Sequence, residues 1–523
     1  MNKKYTVPVI LGLIMVIALF FRLCALMKYG IQYDEVTSFA FPDMFYSMNV
    51  YAPQPVFLYN FVMNCLLGVT GNEFLLRFPS VFWGIAALVP AYLFACRLTD
   101  RKTACIAVFL LAISPFLVCF SQEIRMYSFL FFLGCLSLLF FVIAIQGGSI
   151  RAWIGNIVCN VLGAYLNFSA VLIIPAQIAY LFLFRKKLKI HRSRIGWVLA
   201  SQFTAFIPWL YIFFRQFVFM LQQTHADKRV YSYIDTIGIL NFFFTVKNFC
   251  SGFYSSDIVR DIMLVIMACL VLVTVRNMYR KHKRATLFFL LMSFSLPMII
   301  MIIFSQFRAI YCDKYMIVSL LPFSVLTAYG ISRQKTKMLV IILSCIAVLS
   351  VMSLQRYYSN RICRSYRERV GVVARKEMFK VAGVLKKQYE KADAVIHTSG
   401  ASTLPVAYYF DSSVQRREFV KGNDFHLFLK EVYQSLGMEN HLIFHNLASS
   451  MFYFYEEPDD SLTQALAKRL SGFKRVWLVY SYWERPEPFE KVKKWFDSNC
   501  VLLESHPFEG VQVFLYKTGI FPE

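Results

Sequence analysis

Apolar runs of near membrane-spanning length, most of them separated by short basic loops, constrain this chain more than any other feature. About twenty apolar residues cross the hydrocarbon core as a helix, because a helix satisfies its backbone N–H and C=O groups without water. Runs at 5–27, 78–96, 103–120, 125–145, 153–167, 169–184, 195–213, 258–275, 285–304, 315–331 and 338–354 predict a polytopic α-helical membrane protein of about eleven transmembrane helices. The apolar stretch from Gln54 to Val69 is short and interrupted by Asn60 and Asn64, so it is expected to lie in the interface. The pair 153–167 and 169–184 reads as two spans or as a re-entrant hairpin.

The net charge of +24 would suit nucleic acid if it formed one patch. It does not, because Lys and Arg concentrate in short loops such as 185–194, 276–284 and 332–337. Basic loops on alternate turns set orientation in a membrane. They predict a cytoplasmic N-terminus, a C-terminus outside, and no nucleic-acid partner. Counting 54–69 as a span would put each later basic loop on the wrong side. Lys3 and Lys4 precede the first run without a small-residue cleavage site, so that run reads as a retained helix. The expected organisation is a membrane domain over 1–354, with 28–76 as a first external loop carrying juxtamembrane helices. A soluble α/β domain over 355–523 follows. There charged residues become frequent, and apolar runs at 393–397, 475–480 and 511–516 alternate with amphipathic stretches at 375–391 and 488–496. The Cys residues show no metal-ligand spacing and lie mostly inside apolar runs, where a thiol acts as a small hydrophobe.

On this topology one membrane face gathers Asp34, Glu35, Gln54, Arg77, Gln122, Glu123, Arg125, Arg308, Asp313 and Lys314. Ionisable groups beside hydrocarbon are costly and therefore functional candidates. Asp34 and Glu35 are adjacent and cannot share a helix face. One can point into a cleft as a general base while the other caps or pairs. The competing reading makes Asp34 an ordinary helix N-cap. Glu123, in Ser121-Gln122-Glu123-Ile124-Arg125, is either half of a structural ion pair or a second site carboxylate that orients an acceptor or binds a divalent metal with Asp34. Arg77, Arg125, Arg308 and Lys314 are cations suited to a lipid phosphate, or simply anchors to headgroups. A base beside phosphate-binding cations suits sugar transfer from a lipid phosphate, where the leaving group needs charge stabilisation and the incoming hydroxyl needs a base.

The motifs resemble the bacterial branch of the protein O-mannosyltransferase and aminoarabinose transferase family, which are GT-C membrane glycosyltransferases. The resemblance rests on Arg22, Tyr33-Asp34-Glu35, residues 53–59 through Tyr59, residues 71–80 through Arg77, Ser114-Pro115 and residues 121–127 through Tyr127. Asp313-Lys314-Tyr315 with Pro322 is a weaker match. It implies Asp34 as the catalytic Asp of the first external loop and Glu123 as a second acidic position. It also implies polyprenyl-phosphate sugars as donors and inversion at the anomeric carbon. Glu35, Gln54, Tyr59, Arg77, Arg125, Tyr127, Arg308 and Lys314 then form the expected set binding lipid phosphate or sugar. Gln54 stands where relatives carry His or Lys, and Lys314 where they carry Arg.

The expected function is therefore an inverting glycosyltransferase at the outer face of the cytoplasmic membrane. It would move a sugar from a polyprenyl-phosphate donor to a hydroxyl on a protein, glycan or lipid. Two competitors are a transporter or flippase for lipid-linked sugars, and a non-catalytic envelope scaffold. A transporter calls for charges and broken helices at mid-membrane, whereas the polar residues here gather at one face.

Overall fold

The computed structural model describes residues 3–36, 38, 57–188, 192–223, 238–306, 311–362, 375–390, 393–398, 400–410, 442–445, 451–454, 470, 473–481 and 487–519. Gln54 and Arg308 lie outside these. The described residues fall into two compact units. One draws on Met1–Leu26, Met44–Tyr59 and Arg77–Val372. The other draws on Met27–Asp43, Asn60–Leu76 and Val373–Glu523.

The first unit is helical. Among the described residues, eight helices are long and apolar enough to cross a membrane: Glu73–Leu98, Tyr127–Gly147, Phe168–Lys186, Ile195–Arg215, Asp257–Arg280, Arg284–Ser305, Asp313–Ser332 and Thr336–Tyr358. The pair Arg101–Ala112 and Pro115–Ser121 makes a ninth if counted as one crossing. Two shorter apolar helices, Val7–Leu23 and Ile150–Leu166, complete the set, so each run read from hydropathy is helical. The chain is a multi-pass membrane protein. The helix Phe57–Leu67 has 11 residues, too few to cross.

The run 103–120, read from the sequence as one span, is bent by 56°. The cause is Ser114-Pro115. Proline cannot donate to the preceding turn, and the Ser114 hydroxyl restarts the helix by accepting from the Leu117 N–H at 3.4 Å. A buried amide cluster ties three other helices together. Asn156 Nδ2 donates to the Ser137 carbonyl at 3.0 Å, Ser137 Oγ to Asn160 Oδ1 at 2.6 Å, and Gln177 Nε2 to Ser137 Oγ at 3.1 Å. Such bonds between membrane helices contribute about 0.6 kcal/mol each.

The second unit contains a six-stranded sheet: β1 Asp393–His397, β2 Leu442–His445, β3 Met451–Phe454, β4 Arg475–Ser481, β5 Cys500–Phe508 and β6 Val511–Thr518, in the order β2-β3-β1-β4-β6-β5. β1 runs parallel to β3 and β4, and the remaining pairs are antiparallel. Strand alternation sorts the core into two layers. Ala394, Ile396, Val476, Leu478 and Tyr516 pack on Val492 and Phe496 of the helix Glu487–Asn499. Val395, Trp477, Val479, Val513 and Leu515 pack instead on Met378, Val381 and Leu385 of Met378–Gln388 and on Val406 of Gly400–Phe410. At the start of β1 the Asp393 carboxylate takes both prongs of Arg475, at 2.9 and 2.7 Å, and the Trp477 indole N–H at 2.9 Å.

Candidate functional site

The helical unit gathers one group of candidate residues around the turn 122–126. Gln122 sits at its base, fully buried. Its Nε2 donates to the carbonyls of Arg22 at 2.9 Å and Cys24 at 2.7 Å, capping the end of the first helix, Lys3–Leu23. Its own carbonyl accepts from Arg77 Nη1 at 2.6 Å. The buried Arg22 guanidinium spends its hydrogen bonds on neutral oxygens: Nε to Ser121 Oγ at 3.2 Å, and Nη1 to the Ala18 and Ala112 carbonyls at 3.1 Å each. Partnerless polar groups here would cost about 1–3 kcal/mol each, so these bonds fix the turn.

The same turn presents Glu123 and Arg125, both half-buried. The Cys119 thiol lies 3.7 Å from Glu123 Oε1. The Arg125 carbonyl accepts from Ser80 Oγ at 3.4 Å, and Ser80 Oγ is 3.2 Å from the buried Tyr59 hydroxyl. Tyr127, fully buried, starts the next helix, and Lys314 Nζ stands 5.6 Å from its ring centre. That placement follows from Gly134. A Cβ there would stand 2.6 Å from Val318, so only glycine lets the helix Tyr127–Gly147 approach the 3₁₀ turn Asp313–Ser319 that carries Lys314. The neighbouring Asp313 is buried, accepting from Thr245 Oγ1 at 2.5 Å and from Asn248 Nδ2. Thr245 also meets the Tyr311 hydroxyl at 2.5 Å. Burial, and then the Asp313 carboxylate, push the Tyr311 phenol above its ordinary pKa. Tyr59, Arg77, Glu123, Arg125, Tyr127 and Lys314 are thus brought together in one unit.

The acidic turn belongs to the other unit, and its geometry separates the two adjacent carboxylates. A short helix, Tyr33–Val36, starts from Gln32, whose carbonyl accepts from the N–H groups of Glu35 and Val36 at 3.0 Å each. Glu35 Oε2 reaches back to the Gln32 N–H at 2.8 Å, the return bond of a capping box. Glu35 is buried with a carboxylate oxygen held at the helix start, while Asp34 is exposed. The helix begins at Tyr33, so Asp34 lies inside it and not at its N-cap, the competing reading of that residue. Among the described residues no three His, Cys, Asp or Glu side chains gather as a metal site.

Sequence reasoning named Gln122 and Asp313 only as polar residues on the external face, and Arg22 only as a marker of resemblance. It gave no part to Gln32, Thr245 or Asn248. The one available signal was Arg22, a charge near the end of an apolar run.

Residues 52–212 match the family model of dolichyl-phosphate-mannose-protein mannosyltransferases. No curated protein matches the sequence. Among solved structures the chain is similar to ArnT from Cupriavidus metallidurans bound to undecaprenyl phosphate, with a TM-score of 0.60, 11% identity, and 96% of this chain and 97% of that chain covered. The apo state of that protein gives 0.59 at 10% identity over the same shares. The Archaeoglobus fulgidus oligosaccharyltransferase in its apo form gives 0.50 at 12% identity, covering 91% of this chain and 70% of that one. At these identities the likeness establishes the fold, which is that of the GT-C membrane glycosyltransferases.

Proposed function

We propose that this chain is an inverting glycosyltransferase that moves a sugar from a polyprenyl-phosphate donor to an acceptor hydroxyl. The observation that carries the reading is the gathering of Arg77, Tyr127 and Lys314 around the turn of the helical unit that carries Glu123 and Arg125. It stands in a fold like that of a protein crystallised with undecaprenyl phosphate. Arg125 and Lys314, both half-buried, hold the donor phosphate, Arg through a two-pronged contact and Lys as a point charge. The desolvated surroundings strengthen that attraction.

Asp34 takes the proton of the acceptor hydroxyl as its oxygen attacks the anomeric carbon. The bond from that carbon to the phosphate oxygen breaks on the opposite face, and the electron pair leaves with the lipid phosphate. No general acid is needed, because the phosphate is already a good leaving group. Glu123 orients the acceptor. The reaction belongs on the outer face of the cytoplasmic membrane, with the N-terminus inside and 355–523 outside, as the basic loops require. The acceptor is a protein, glycan or lipid hydroxyl.

The test is Asp34→Asn in purified protein with undecaprenyl-phosphate-linked hexoses as donors. The base contributes about 10²–10⁴-fold, so transfer is expected to fall by at least about 100-fold with the melting temperature unchanged. Glu35→Gln keeps an oxygen acceptor for the Gln32 N–H and is expected to be mild. Full activity in Asp34→Asn would remove the base from the mechanism.

A further inference from the structure

The acidic turn is seated on the α/β unit through its backbone. The Gln32 side chain pairs with the main chain of Lys376 in both directions: the Lys376 N–H donates to Gln32 Oε1 at 2.9 Å, and Gln32 Nε2 donates to the Lys376 carbonyl at 2.9 Å. The same Nε2 also donates to the Gly30 carbonyl at 2.8 Å. One residue earlier, the Ile31 N–H donates to the Tyr409 hydroxyl at 2.6 Å. Gly30 lies so close that a Cβ would stand 2.7 Å from that hydroxyl and 3.0 Å from the Phe379 ring.

These partners are themselves fixed to the sheet. Phe379 and Tyr409 lie on the helices Met378–Gln388 and Gly400–Phe410, which cover one sheet face. Lys376 is buried, and its Nζ donates to Ser481 Oγ at 2.6 Å at the end of β4. A continuous path of hydrogen bonds and chain therefore runs from β4 through Lys376 to Gln32, the residue that starts the helix carrying Asp34.

We infer that the α/β unit serves as the mount that aims Asp34, with Gln32 and Tyr409 as positioning residues. The inference rests on Asp34 being the base. The Gln32 side chain bonds to the main chain of Gly30 and Lys376, so its effect passes through the direction of the Asp34 side chain. A general base displaced by about 1 Å loses on the order of 100-fold in rate. The mount is accordingly expected to act on kcat and to leave the affinity for undecaprenyl phosphate alone.

The experiment uses the full chain in lipid nanodiscs and compares Gln32→Ala, Tyr409→Phe and Asp34→Asn with the unmodified protein. Three quantities are read: kcat with a hexose-linked undecaprenyl phosphate, Kd for undecaprenyl phosphate, and amide hydrogen exchange over 30–36. Gln32→Ala is expected to lower kcat at least about tenfold. Its Kd should stay within about twofold and its 30–36 amides should exchange faster, with the membrane helices unaffected. Tyr409→Phe, which removes one hydroxyl, is expected to do the same more weakly. If Asp34→Asn is inactive while Gln32→Ala keeps its kcat, the mount is wrong and the base stands. A kcat loss in Gln32→Ala matched by a loss of folded protein also overturns it. If Asp34→Asn retains activity, the base assignment fails and takes the mount with it.

Discussion

The two turns that carry the candidate carboxylates are held in opposite ways. The turn with Glu123 is locked from beneath, where Gln122, Arg77 and Arg22 bond to backbone and hydroxyl oxygens with all three side chains buried. The turn with Asp34 is held at its start, by Gln32 and Glu35, and leaves Asp34 itself exposed. The difference teaches that one turn is built to keep its shape and the other to keep its aim. On the proposed mechanism the first serves the donor phosphate and the second the acceptor proton.

That division breaks or sharpens according to which constant each variant changes. The largest effect is expected from Gln122→Leu. It leaves the Arg22 and Cys24 carbonyls without their donor at a cost of about 3 kcal/mol, visible as a lower melting temperature of the detergent-solubilised protein. An unchanged melting temperature would mean that the lock is redundant. Next comes Lys314→Ala, expected to raise the donor KM about tenfold with little change in kcat, while Lys314→Arg keeps most of the affinity. A kcat effect there would blur the two roles.

The smallest effect is a pH dependence confined to the α/β unit. Burial would push the Asp393 carboxyl up, but the Arg475 guanidinium, the Glu390 amide and the Trp477 indole together hold it below its ordinary value of 3.8. A group depressed in the folded state contributes stability above its unfolded pKa and loses it as pH falls through the folded one. Thermal melts at about pH 5 and about pH 3 should differ more for the native chain than for Asp393→Asn.

Much of this was legible from the sequence, for physical reasons. Spans were readable because length and hydropathy alone decide which segments leave water. The strands β1, β4 and β6 were readable as apolar runs bounded by polar residues. β5 was not, since Cys500-Val-Leu-Leu-Glu-Ser-His-Pro-Phe508 is a largely exposed edge strand whose pattern depends on its neighbour. The bend at Ser114-Pro115 was written plainly but lost inside a longer run. Asp34 and Glu35 were legible as a pair but not as two roles. Telling them apart needs the return bond to Gln32, and glutamine is a poor cap by propensity. Gln122, Gln32 and Asp313 were beyond reach as structural devices, because their partners lie far away along the chain.

The order of strands has a consequence for biosynthesis. β6, which follows β5 along the chain, does not sit at the rim of the sheet but between β4 and β5. The seat of an acid near residue 30 is thus finished only when residues past 511 have been delivered. On the proposed mechanism, a nascent chain halted before residue 511 would carry its membrane helices yet lack a central strand of the sheet on which its base is mounted.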